Sequence, residues 1–288
     1  MAKGREIKRR IKSIGSMLQV TKAMELISSI KMKKAQDAAL KSKTYVFESW
    51  RSIIRLALST SEQNILFHGH GKGKTLALVV TSDRGLAGSY NNDILKKTLQ
   101  FVNERGLENI DFITMGQKGR NFVERIGGTI VADFPLGEQI RFTFTSPVAL
   151  IAWQGFNKRK YKEFISVHTH FESAGRKGAT TLKILPLDLK QIKQEMKDEK
   201  LLEIDYKFEP DKKTVLEQIT RQLVRALTYQ VILESEAAEH ASRMIAMKNA
   251  TDAAGELKED FEFTYDQLRQ QSITAELTEI SAGVNAME

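Results

Sequence analysis

The sequence has no cysteine. That excludes a disulfide framework, a thiol nucleophile, a thiolate metal site and any thiol-based switch. Proline is scarce, with four residues at Pro135, Pro147, Pro186 and Pro210, so the first 134 and last 78 positions lack the residue that most reliably breaks a helix. No stretch reaches the roughly 18 consecutive apolar residues of a membrane span. The opening MAKGREIKRRIK lacks the apolar middle of a secretory signal. These absences predict a cytoplasmic chain, neither spanning nor exported, with room for a long helix at each end. At 288 residues and 41% hydrophobic content, the chain can bury a core as one large domain or two small ones.

What the chain does carry is charge, unevenly placed. The formal net charge is +8, yet residues 1–55 hold 14 Lys/Arg against 4 Asp/Glu, and residues 251–288 hold 9 Asp/Glu against 2 Lys/Arg. The two ends have opposite sign and would attract one another. Residues 4–57 contain only Gly4 and Gly15 among strong helix formers, which predicts a helix of about 50 residues. Its apolar stripe runs through Ile7, Ile11, Ile14 and Leu18, then drifts to Val20, Met24, Ile27 and Ile30, as in a gently wound helix pair. After Pro210 a second helical stretch runs from Asp211 to about Ala282. A four/three repeat through Ile219, Leu223, Ala226, Gln230, Leu233, Ala237, His240, Met244, Met247, Thr251 and Ala254 predicts a coiled-coil seam.

Between the helices the pattern alternates. Strands are expected at Thr75–Ser82, Ile110–Met115 and Thr129–Asp133, separated by helices at Asn91–Glu104 and Gln117–Ile126. A helix at Ser146–Arg159 and strands at Glu163–Glu172 and Thr180–Pro186 follow. The expected fold class is α/β: an antiparallel coiled coil of long N- and C-terminal helices plus a Rossmann-like domain with a mostly parallel sheet. Residues 1–60 and 211–286 would form the helix pair, outside a central domain spanning 72–208. At about 1.5 Å per residue the helices would be roughly 80 and 105 Å long.

Several motifs invite a chemical reading. Gly69-His70-Gly71-Lys72-Gly73-Lys74-Thr75 ends like a phosphate-binding loop, but His68 stands where the pattern's first glycine belongs and the loop precedes a strand. It reads as a linker. Ser82–Asn91 follows the first strand, where doubly wound folds bind cofactors, yet it holds only Gly85 and Gly88. It reads as a structural turn built on Asp83, Arg84, Gly85 and Gly88, with Asp83 and Arg84 forming a local ion pair. His168 and His170 would share one face of a strand, half exposed, without a convincing third metal ligand. No Ser/His/Asp set or carboxylate pair stands out by spacing, so no catalytic, cofactor-binding or metal residues are expected. The basic run Lys3, Arg5, Lys8, Arg9, Arg10 and Lys12 lacks the interleaved aromatics of a nucleic-acid site.

Three stretches resemble the gamma subunits of F-type ATP synthases. Val20-Thr21-Lys22-Ala23-Met24-Glu25 with Lys31-Met32-Lys33-Lys34-Ala35-Gln36 is similar to the family's first helix, and Ser82–Asn91 to its S-D-R-G-L-x-G-x-x-N. Glu234–Ala253 with Ile273–Ile280 resembles its C-terminal signature. Three positions depart from the family: Gly283 is followed by Val284 where Ala is common, and the usual Y-N-x-A-R-Q reads Tyr265-Asp266-Gln267-Leu268-Arg269-Gln270, changed at Asp266 and Leu268.

The resemblance implies a non-catalytic central rotor, one copy per complex. Its helix pair would fill a ring of three α and three β subunits, and its foot would bind epsilon and stand on the membrane c ring, coupling proton flow to ATP synthesis or hydrolysis. It implies partner contacts through Lys22, Met24, Glu25, Arg269 and Gln270, no cofactor, no nucleic acid, and a peripheral place on the cytoplasmic face of a bacterial membrane. The residues alone leave three rivals: a coiled-coil scaffold with a degenerate nucleotide-binding-like domain, a doubly wound enzyme, and a nucleic-acid clamp.

Overall fold

Both proline-free ends are helical. In the computed structural model, which describes residues 2–58, 65–137, 141–188 and 209–285, α1 runs Ala2–Leu58 and the last helix runs Lys212–Asn285. Residues 189–208, the expected end of the central domain, and residue 286 lie outside the described residues. The chain divides into two compact units, Ile30–Ser242 and Met1–Ser29 with Arg243–Glu288.

Within Ile30–Ser242 the order after α1 is α2 (Ile65–His68), β1 (Lys74–Val80), α3 (Tyr90–Arg105), β2 (Ile110–Met115), α4 (Gln117–Arg125), β3 (Thr129–Phe134), α5 (Ser146–Asn157), β4 (Tyr161–Ser173) and β5 (Arg176–Leu185). The final helix Lys212–Asn285, α6, then begins. The five strands form one sheet ordered β3-β2-β1-β4-β5. β3, β2, β1 and β4 are parallel neighbours and β5 returns antiparallel from a hairpin. The central strands β1 and β2 are almost wholly buried, as expected for parallel strands covered on both faces.

Alternation along β1 separates two cores. Leu76, Leu78 and Val80 join Val46 and Ile53 of α1, Val148, Ala152 and Phe156 of α5, and Leu223, Leu227, Val231 and Ile232 of α6. Ala77 and Val79 join Ile94 and Phe101 of α3, Val123 of α4 and Ala238 of α6. The α6 seam is buried or half-buried at every expected position. From Leu223 to Ser242, however, burial extends nearly all round the helix. Over these residues α6 is a core helix of the α/β unit, not one strand of a solvated coiled coil, because it shares its cores with α1, α5 and the sheet's strands.

In the other unit α1 and α6 pack together. Ile14, Thr21 and Ser28 are buried at heptad spacing on α1, and Arg243, Met247 and Ala254 on α6. Ile7, Ile11 and Leu18 are partly buried, in keeping with the expected stripe. The drift to Val20 and Ile27 does not hold: both are more than half exposed, as is Ile30 in the neighbouring unit, while Met24 is half-buried. At Thr21, Ser28 and Ala254 small residues share the seam with Ile14 and Met247, and they let the two helix backbones approach more closely there than a Val or Ile would, while Val20 and Ile27 are left outside. The surface here is accordingly not only Lys and Arg, since Met17, Val20, Leu26 and Ile27 are exposed on it.

Candidate functional site

In a doubly wound sheet the ligand crevice opens at the carboxyl ends of the strands where the winding reverses, here between β1 and β4. The loop after β1 is tied down locally. The Ser82 N–H donates to Asn91 Oδ1 at 3.0 Å and the Ser82 hydroxyl donates to the Arg84 carbonyl at 2.6 Å. Asp83 does not pair with Arg84. Its Oδ1 accepts the Gln117 N–H at 2.9 Å, so a carboxylate from one loop meets the first-turn N–H groups and positive dipole end of α4. Beside it the Thr81 hydroxyl oxygen accepts the Gly119 N–H at 2.8 Å. Gly88 has φ 56° and Leu86, 62% exposed, has φ 63°, so Arg84-Gly85-Leu86 is presented outward.

The crevice itself meets α6. That helix contributes Val231 and Ile232 to one core and Ala238 to the other, and between them Glu234 Oε2 lies 2.6 Å from His170 Nδ1. Gln230 Nε2 donates to the second Glu234 oxygen at 2.7 Å. His168, expected half exposed, is buried instead, with its Nδ1 3.2 Å from the Ser166 hydroxyl. β4 is covered on both faces here, so the strand's alternation does not bring His168 to solvent. Burial, with His170 nearby, pushes its pKa down to about 4. Among the described residues no group of three His, Asp or Glu is placed to hold a metal ion.

The Gly-rich stretch ends at the opposite end of the sheet. Gly73 has φ 94°, and a Cβ there would lie 2.3 Å from the Lys160 carbonyl oxygen. Lys74 and Thr75, the pair that resembles a phosphate loop, bind other protein groups: Lys74 Nζ pairs with Asp111 at 3.0 Å and the Thr75 hydroxyl donates to Glu163 at 2.6 Å. Arg105 also bonds Glu163.

The residues singled out on the terminal helices lie in the unit formed by both chain ends. Lys22 is exposed, while Met24 and Glu25 are half-buried. Arg269 and Gln270 are exposed, and Arg269 Nη1 sits 3.9 Å from Asp266 Oδ1, so the departure at Asp266 supplies that guanidinium with a neighbour in its own helix. Farther along, Ile273, Leu277 and Ile280 stand exposed. The seam holds Thr21 and Thr251, hydroxyl oxygens 2.7 Å apart, and Arg10 lies 5.8 Å above the Phe261 ring. No described helix is long and apolar enough to cross a membrane.

Sequence reasoning missed Glu236 on α6. Burial, with Glu239 adjacent, raises its carboxyl to about 7, and the Lys31 ammonium opposes that shift only in part. His240 Nε2 lies 4.0 Å away. The available signal was the i, i+4 spacing of Glu236 and His240 beside the seam.

The chain matches the family model described as ATP synthase over residues 3–287. It is 36% identical to the ATP synthase gamma chain of Macrococcus caseolyticus, with all of both chains covered. It is 33% identical to that of Chloroflexus aurantiacus, covering 100% of this chain and 99% of the relative. Its fold is similar to a chain of the Euglena gracilis mitochondrial ATP synthase solved with OSCP, F1 and c-ring, with TM-score 0.68 and 18% identity, covering 99% of this chain and 95% of that one. A chain of the Tetrahymena thermophila mitochondrial ATP synthase central stalk and c-ring matches with TM-score 0.61 and 21% identity, over 80% of this chain and 99% of that one. With a family model and full-length relatives above 30% identity in agreement, the chain belongs to the ATP synthase gamma-chain family.

Proposed function

We propose that the chain is the central rotor of an F-type ATP synthase, converting the turning of a membrane c ring into affinity changes at catalytic sites carried by β subunits. The observation that carries the reading is the full-length gamma-chain relationship combined with a helix pair whose seam is small and satisfied within the chain. A scaffold that dimerised through α6 would leave that seam open for a second copy. The partners are three α and three β subunits, epsilon and the c ring, with one copy of this chain per complex. Residues 1–60 and 211–286 serve as the shaft and 72–208 as the foot.

In this reading the chain performs no chemistry. It binds each state of a β subunit with different free energy, and rotation selects among those states. Lys22, Met24, Glu25, Arg269 and Gln270 contact the surrounding ring. Asp83, Arg84, Gly85 and Gly88 build a turn that fixes α4 and bind no nucleotide; the Asp83 bond to Gln117 supports this. The complex sits at the cytoplasmic face of a bacterial membrane, with this chain peripheral.

The test is a tagged pull-down from native membranes in mild detergent. Recovery of α and β subunits with ATPase activity that the isolated chain lacks is the expected result. A self-associated chain without those partners would overturn the reading in favour of a scaffold.

A further inference from the structure

A groove of about 940 Å³ runs between α1, the first turns of α5, and α6 inside the Ile30–Ser242 unit. α1 walls it from Tyr45 to Ser52 and α6 from Gln218 to Arg225, each with residues three, four and seven apart. Two parallel helical walls of that spacing accept a third helix, and the volume matches about two turns of one. Leu150 of α5, 40% exposed, offers an apolar contact in the same groove.

The charge is one-sided. Glu48, the groove's carboxylate, is engaged by Arg51 at 3.6 Å. Arg221 and Arg225 form no ion pair or hydrogen bond among the described residues. Arg225 is nonetheless held in place, its guanidinium carbon 4.4 Å from the centroid of the Phe142 ring, which meets Tyr229 edge-on. Its Nε is buried and has no acceptor. A guanidinium fixed on an aromatic ring with its donors unspent is organised in advance for a carboxylate.

We infer that this groove docks an acidic amphipathic helix of a partner protein, its carboxylates on Arg221 and Arg225 and its apolar face toward Leu150. A small phosphate ligand fits less well, since the donors are spread along α6 instead of converging. The inference goes beyond the rotor reading and does not depend on it, because the groove belongs to this chain alone.

The experiment titrates the full chain into a fluorescein-labelled helical peptide of about three turns, with Glu on one face and Leu on the other, and reads anisotropy. Saturable binding that weakens with salt is expected. It should fall by about tenfold or more in Arg221→Glu/Arg225→Glu, whose circular dichroism should match the parent. Phe142→Leu, which frees the guanidinium without changing charge, should weaken binding by a smaller factor. A peptide with Lys in place of Glu should not bind. Equal binding of the Glu peptide to parent and charge-reversed chain would overturn the inference. So would ATP or inorganic phosphate occupying the two arginines while the peptide fails to bind.

Discussion

The hydroxyl oxygens of Thr21 and Thr251 lie 2.7 Å apart across the α1–α6 contact, joining residues 230 positions apart in sequence. Two short hydrogen-bonding side chains meet here where a Leu or Ile layer could stand, and each hydroxyl also lies near a carbonyl of its own helix, Thr251 2.8 Å from Met247 and Thr21 3.2 Å from Leu18. Replacing Thr21 or Thr251 alone with valine leaves one hydroxyl facing a methyl group. Each single change should cost about 1 kcal/mol of stability, and the double valine variant should recover much of that loss. Thermal or urea unfolding of the four chains completes the cycle.

Glu236 sets a pH dependence of folding. Its carboxyl titrates at about 7 in the folded chain against an ordinary value of 4.5. The folded state therefore holds the proton more tightly than the unfolded state. Stability from this group is full below about 4.5 and is lost as pH rises through about 7. Glu236→Gln should remove that slope and be more stable than the parent at pH 8 by on the order of 1–3 kcal/mol. Urea midpoints between pH 5 and 8 measure it, with Glu239, Lys31 and His240 left unchanged.

His168 acts with the opposite sign. Its folded pKa of about 4 lies below the ordinary 6.5, so the unfolded state takes the proton first and stability falls as pH drops through that window. His168→Gln should flatten the acid limb between roughly pH 6.5 and 4 while leaving stability at pH 8 much less affected. Acid titration followed by circular dichroism distinguishes it from the Glu236 effect, which lies at higher pH.

Asp83 bridges two loops by accepting the Gln117 N–H at 2.9 Å. Asp83→Ala should destabilise the α/β unit by about 1 kcal/mol, the usual loss for a helix N-terminus deprived of its acceptor. Asp83→Asn should cost less. Hydrogen exchange should show faster opening confined to the first turn of α4.

Much of this was legible in the sequence because it rests on local signals. Proline-free ends and a four/three repeat gave the terminal helices, and buried apolar runs between turns gave the central strands. The last two strands were expected from their apolar runs, but their antiparallel pairing across the tight Ala174-Gly175 turn is seen only in the fold. What escaped depends on the third dimension. Val20 and Ile27 fit an apolar stripe, but two helices in close contact select Thr21 and Ser28, and hydropathy cannot rank a small polar residue above a large apolar one. Asp83 and Arg84 were paired because they are neighbours, whereas the nearest uncapped helix start belonged to a residue 34 positions away. His168 followed strand alternation, yet both faces of β4 are covered at that point. The burial that raises Glu236 arises from tertiary packing around α6 and leaves no mark on composition.

The absence of cysteine makes the decisive measurement clean. Gly175→Cys, on the exposed β4–β5 turn where a side chain meets no neighbouring atom, gives a single attachment point for a bead. The labelled chain is assembled with the α and β subunits of its own cell, the ring is fixed to glass, and the bead is followed in a microscope. The rotor account predicts continuous one-way turning that starts with ATP and stops when ATP is removed. A complex that hydrolyses ATP while the bead shows only undirected fluctuation would contradict it.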